Sequence, residues 1–78
     1  MRILSARILG VRLHRAGRTV EGIVALEAEA DGSVIAATVR VSAPLDAPGA
    51  PPLRQRLMAA ARLAFAARIL ASETRRAA

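Results

Sequence analysis

The stretch that decides the fold runs from residue 20 to residue 41 and reads VEGIVALEAEADGSVIAATVRV. The dipeptide Asp31-Gly32 separates two runs of alternating residues, and it is typical of a two-residue hairpin turn with positive φ at both positions. The register that this turn imposes brings together the residues of one apolar face: Ala30 with Ser33, Ala28 with Ile35, Leu26 with Ala37, Val24 with Val39, and Gly22 with Val41. A slip of one residue would destroy this agreement, so the pattern predicts antiparallel strands over 19–30 and 33–42.

A second hairpin turn is predicted at Ala16-Gly17, which places a first strand over residues 2–14. On the apolar face, the pairs are Leu13 with Val20, Val11 with Gly22, and Leu9 with Val24. Arg12 lies opposite Glu21 on the other face, where opposite charges favour pairing. Near residues 7–9 the alternation shifts, which indicates a β-bulge or a change of partner. We expect a three-stranded antiparallel meander over residues 2–42, without internal repeats.

Residues 43–52 contain four prolines and a glycine, which predicts a loop. A helix over 51–72 follows, because proline suits its first turn, and residues 73–78 are expected to form a frayed tail. The predicted fold class is therefore α+β, a single small domain with one helix packed on one face of the meander (βββα). The predicted core comprises Leu9, Val11, Leu13, Val20, Val24, Leu26, Ile35, Val39 and Val41 of the sheet and Leu53, Leu57, Ala61 and Ala64 of the helix, with Phe65 at its margin.

The helix and the sheet each carry more apolar surface than the other can cover. The helix carries apolar residues on several sides, which is typical of a helix buried on more than one side. Leu63 and Leu70 lie one heptad apart, and Ile23 and Val34 lie on the sheet face away from the helix. Large exposed apolar patches mark interaction sites. These four residues are the predicted partner interface, and the two outer strands are expected to offer open edges as well. Ile8 is also expected on the outer face.

The composition favours association over a metal or disulfide framework. The chain has 78 residues, no cysteine and one histidine, and all 12 of its basic residues are arginine, for a net charge of +6. So short a chain is marginally stable alone and is usually helped by disulfides, a metal or oligomerisation. We expect no metal and no cofactor, and we expect a protein partner or a homo-oligomer. No signal peptide or membrane-spanning segment is evident, so the expected location is the cytoplasm or an assembled particle.

No residue pattern predicts catalysis. His14 lies beside the first turn, and Glu27 and Glu29 share one polar face; both arrangements are typical of solvated strand residues. We therefore expect a non-enzymatic structural, assembly or protein-interaction subunit, for example a component of a phage-like particle or an accessory subunit. The alternative is a basic nucleic-acid-binding module that contacts phosphate through arginines at the first turn and the C-terminus, namely Arg15, Arg18, Arg75 and Arg76.

Overall fold

The computed structural model describes the backbone of residues 1–77 and the side chains of residues 1–72. Its elements, in chain order, are β1 (Arg2–His14), β2 (Thr19–Ala30), β3 (Ser33–Pro44) and α1 (Leu53–Ala77). The strands form one antiparallel sheet in the order β1-β2-β3, and α1 packs on this sheet. The predicted βββα architecture is confirmed.

The hairpin between β2 and β3 has the predicted turn and register. Asp31 has φ 52° and Gly32 has φ 78°, so both residues of the turn adopt the left-handed conformation that this turn requires. Every predicted pair between the two strands is present, from Ala30 opposite Ser33 to Gly22 opposite Val41. The helix-facing side of β2 and β3 therefore carries the apolar residues.

The turn between β1 and β2 is fastened to the loop after β3. The N–H of Arg18 donates to the carbonyl of Arg15 (3.2 Å), and the residue with positive φ is Arg18, at 50°. The carbonyl of Arg18 accepts a bond from the N–H of Leu45 (2.9 Å), and its guanidinium forms an ion pair with Asp46. The start of the proline-rich loop is thereby held against this turn.

Strand β1 contains two bulges, each with one extra residue, at Leu4 and Leu9. Ile8 lies opposite Val24 and Gly10 lies opposite Ile23, so the predicted pairing of Leu9 with Val24 is wrong. Ile8 consequently faces the helix instead of the outer side, and it is half-buried.

The bulges coincide with a repeat that our expectation of no repeats overlooked. The tripeptide Arg-Ile-Leu occurs at residues 2–4 and again at 7–9, and Arg-Leu follows at 12–13. Each five-residue step spans only four residues of β2: Arg2 lies opposite Glu29, Arg7 opposite Ala25, and Arg12 opposite Glu21. In a regular strand, residues five apart would lie on opposite faces. The extra residue in each bulge returns all three arginines to the same face of the sheet.

The core lies between α1 and the strands β2 and β3. Its fully or nearly fully buried residues are Val20, Val24, Leu26, Ala28, Val39, Val41, Ala43, Leu57, Ala61 and Phe65. Leu57 approaches Gly22 closely, and a Cβ added to this glycine would lie 3.3 Å from Leu57 Cδ1. The absence of a side chain at Gly22 thus lets the helix lie close to β2, the central strand.

Two predictions about the core are wrong in the helix. Phe65 was expected at the margin and is completely buried, whereas Ala64 was expected in the core and is exposed. The buried residues Leu57, Ala61 and Phe65 follow a spacing of four, which advances about 40° around the helix at each step. The buried stripe therefore turns towards Phe65 and away from Ala64.

The sequence also predicted too many core residues in β1. Leu9, Val11 and Leu13 are exposed, Val11 to 58%. Leu9 is the extra residue of a bulge. Val11 and Leu13 are exposed because α1 lies mainly over β3, next over β2, and contacts β1 least. The residues of β1 that do pack against the core are half-buried, and they are Ile3, Ala6 and Ile8.

The helix begins later and ends later than expected. Its first backbone bond runs from the N–H of Arg56 to the carbonyl of Pro52 (3.1 Å), so α1 starts at Leu53 and not at residue 51. It continues to Ala77, through residues 73–77 of the predicted frayed tail 73–78, whose last residue lies outside the described residues. No glycine or proline occurs after Pro52 to stop it. Strand β3 likewise runs two residues further than predicted, to Pro44, which an edge strand tolerates.

Candidate interaction surfaces

The side of α1 that faces away from the sheet carries a row of leucine and alanine. Leu63 is 74% exposed and Leu70 is 64% exposed. Ala59 precedes Leu63 in this row, and Ala66 lies between the two leucines. We call Ala59, Leu63, Ala66 and Leu70 the helix ridge. Their spacing of four, three and four residues is that of the contact seam between two packed helices. The ridge lies on the opposite side of α1 from Leu57 and Phe65, and all of its residues are exposed except Ala66, which is half-buried.

The outer face of the sheet does not bring its two candidate residues together. Ile23 and Val34 are both exposed, as the sequence predicted. Ile23 lies opposite Arg40, however, and Val34 is six residues from Arg40 along β3. At about 3.4 Å per residue, this separates Ile23 from Val34 by roughly 20 Å. They are therefore two isolated apolar residues on a charged face.

The charges on the outer face alternate in sign across the strands. Arg2 lies 3.7 Å from Glu29, and Arg40 lies 3.7 Å from Glu21, which also has Arg12 opposite it in β1. Exposed ion pairs of this kind stabilise a fold little. They do divide the face into basic and acidic positions, so the outer face has no continuous positive surface of the kind that tracks a phosphate backbone.

The four candidate anion contacts lie at two sites. Arg15 and Arg18 are both in the first turn, but the guanidinium of Arg18 already pairs with Asp46. Arg75 and Arg76 belong to α1, and their side chains lie outside the described residues. Among the side chains of this set that the structure describes, Arg15 is exposed and forms no ion pair.

Neither edge of the sheet is as open as the sequence suggested. Along β3, Arg56 Nη1 donates to the carbonyl of Pro44 (2.7 Å) and Arg68 Nη1 donates to the carbonyl of Thr38 (3.4 Å). Arg56 Nε also donates to the carbonyl of Pro51 (2.9 Å). Along β1, the two bulges interrupt the regular row of backbone groups that an added strand needs. Arginines from the helix and bulges thus protect the two edges in different ways.

The residues considered for catalysis stay apart from one another. His14 is exposed at the end of β1, opposite Thr19, while Glu27 lies opposite Ser5 and Glu29 pairs with Arg2. Within residues 1–72, no three His, Cys, Asp or Glu side chains form a group able to hold a metal ion. Over the same described residues, no helix combines the length and the apolarity needed to cross a bilayer.

Comparison of the chain with family models, with curated proteins and with solved structures finds no match. The surfaces described above are therefore the basis on which we infer a function.

Proposed function

We propose that this protein is a small non-enzymatic interaction subunit that assembles with a protein partner through the helix ridge. The observation that carries the proposal is the exposure of Leu63 and Leu70 one heptad apart on the outward side of α1. Exposed leucines in a row are unfavourable in water, and burial against a second helix removes this cost. The settings that suit such a subunit are a larger assembly, such as a phage-like particle, or an accessory position on a cytoplasmic complex.

The alternation of large and small residues along the ridge supports helix-on-helix packing. An antiparallel helix of a second copy, centred between Ala64 and Phe65, would set Leu63 against Ala66 of that copy and Leu70 against its Ala59. Small residues opposite large ones allow the two backbones to approach closely. A second copy is therefore one partner that fits the ridge, and a helix of another protein with the same alternation is the other.

The protected edges of the sheet support association through side chains instead of strand addition. An incoming strand would have to displace the bonds that Arg56 and Arg68 make with β3, or pair with a β1 edge that is interrupted twice. Partners that extend a sheet need an uninterrupted edge. The ridge needs no such displacement.

Nucleic-acid binding is the alternative proposal, and its support is the charge of α1. Residues 53–72 contain four arginines and no acidic residue. The mixed signs on the outer face and the ion pair at Arg18 weigh against it. The two proposals differ in a measurable way, because phosphate binding weakens steeply with salt and does not need the leucines.

The test is the native mass of the protein by size-exclusion chromatography with light scattering, over a series of concentrations. We expect a mass above that of the monomer that increases with concentration, and we expect Leu63→Glu combined with Leu70→Glu to return a folded monomer. The matched control is Thr38→Glu combined with Ala36→Glu, which adds the same charge to exposed positions on the outer face.

A monomeric wild type would instead assign the ridge to another protein. Capture of a partner by the wild type and not by the leucine double variant then supports the proposal. Equal behaviour of the wild type and the leucine variant, in both mass and capture, would refute it. Unfolding of the leucine variant, seen by circular dichroism, would show that α1 packs on the sheet through a different side.

A further inference from the structure

A second apolar surface lies where α1 stops short of β1. Val11 and Leu13 project from the helix side of the sheet, because Gly22 and Val20 opposite them belong to the core face. Both are exposed, since α1 lies over the other two strands. The result is a step, with β1 as its floor and one flank of the helix as its wall.

The wall of this step can be assigned to particular residues of α1. Arg56 and Met58 lie on opposite sides of Leu57, about 100° away in each direction. Arg56 reaches the carbonyl of Pro44 on β3, so Met58 faces the β1 side. Met58 is half-buried and lines a shallow depression formed by α1 alone, whose other residues are Arg54, Gln55, Ala59 and Arg62. We call Val11, Leu13, Met58, Arg54 and Arg62 the β1–α1 corner.

The corner combines an apolar floor with uncompensated positive charge. Arg54 and Arg62 are exposed, and among the residues that the structure describes no carboxylate forms an ion pair with either. A ligand with an apolar surface and acidic groups beside it complements both features. The helix of a second copy does not, because its residues 53–72 carry four arginines and no acidic residue.

We propose that the β1–α1 corner binds an amphipathic helix of a different protein, with an apolar face and acidic residues along its flank. Packed helices lie 8–10 Å apart, and strands lie about 4.8 Å apart. A helix placed beside α1 therefore covers β1, the strand that α1 contacts least. The bulged edge of β1 disfavours a strand as the occupant. This inference rests on the proposed interaction function, but its surface contains neither leucine of the helix ridge and adjoins the ridge at Ala59.

The probe is a fluorescently labelled synthetic peptide of about 18 residues, long enough to be partly helical alone, with leucine on one face and glutamate on its flanks. Binding to the full chain is followed by fluorescence anisotropy. We expect saturable binding that weakens at least about tenfold in Arg54→Gln/Arg62→Gln, and as much in Val11→Ser/Leu13→Ser. The matched control is Arg7→Gln/Arg12→Gln, which removes the same charge from the outer face and should leave the affinity within about twofold.

Several results would overturn the proposal. These are the lack of saturable binding, tight binding of a peptide with lysine in place of glutamate, or an equal loss in the outer-face control. A binding curve that is insensitive to Val11→Ser/Leu13→Ser but competed by a single-stranded oligonucleotide would assign the corner to nucleic acid instead. Circular dichroism verifies that each variant is folded. The leucine variant of the ridge should bind the peptide normally, so failure of the ridge and failure of the corner are separate outcomes.

Discussion

Replacing Phe65 with alanine tests how α1 lies on the sheet. Phe65 is completely buried and is the one aromatic residue of the chain. Removing such a side chain costs about 3–5 kcal/mol, the sum of lost burial and a residual cavity. A chain of 78 residues has a total free energy of unfolding of about 4–12 kcal/mol. The substitution therefore removes a quarter or more of the stability, and it unfolds the protein if the total lies at the low end.

The assay is urea unfolding followed by far-ultraviolet circular dichroism, because the chain has no tryptophan or tyrosine to report by fluorescence. Leu63→Ala is the control, two residues away on the same helix. Its side chain is 74% exposed, so we expect a change within about 0.5 kcal/mol. Both variants are measured at a concentration where the wild type is monomeric, since association would add its own stabilisation.

The comparison has one outcome that refutes the orientation of the helix. If Leu63→Ala costs as much as Phe65→Ala, α1 packs through the side that we have assigned to the ridge. A cost below about 1 kcal/mol for Phe65→Ala would mean that its environment is not a packed core. Either result would also remove the basis for the proposed interaction surface.

Three further predictions concern the sheet. Gly22→Val should lower the free energy of unfolding by about 1–3 kcal/mol, since its side chain would overlap the leucine that packs there; an unchanged urea midpoint would contradict the close approach. Deletion of Leu9 should leave a cooperative thermal transition, because it removes a bulge and keeps the register, whereas deletion of Ala25 from β2 should abolish the transition; equal effects would argue against the bulge. Arg56→Gln/Arg68→Gln should increase concentration-dependent aggregation, measured by light scattering, because it frees the edge of β3; unchanged scattering would show that the edge needs no protection.

The hairpin between β2 and β3 was predictable because its signals are local. Asp31-Gly32 sets the turn, and the alternation on either side fixes which face each residue takes. The exposure of Leu63 and Leu70 was likewise readable from their positions around a helix. A short-range pattern is enough for these features, since no distant contact is needed to decide them.

The lateral position of α1 was not predictable in the same way. The helix lies towards β3, where Arg56 and Arg68 bond to carbonyls at the sheet edge and Leu57 lies against Gly22. These are contacts between residues far apart in the chain, and the apolar pattern of β1 looks the same whether or not a helix covers it. The exposure of Val11 and Leu13, and with it the β1–α1 corner, followed only from the three-dimensional arrangement.

The shift in alternation correctly predicted the bulge at Leu9, and the repeat signals both bulges. A shift near residues 7–9 indicated one irregularity, whereas the recurrence of Arg-Ile-Leu at a five-residue interval marks both. An odd interval between like residues in a strand is physically informative, because a regular strand would place them on opposite faces.

The unequal pairing of β1 and β2 limits how this molecule can change in length. Each five-residue repeat of β1 lies beside four residues of β2 and four of β3. A longer or shorter version of the protein keeps the arginines of β1 outward and its isoleucines inward only if all three strands change together in the ratio five to four to four. The sheet can therefore lengthen or shorten only in steps of about 13 Å along the strands.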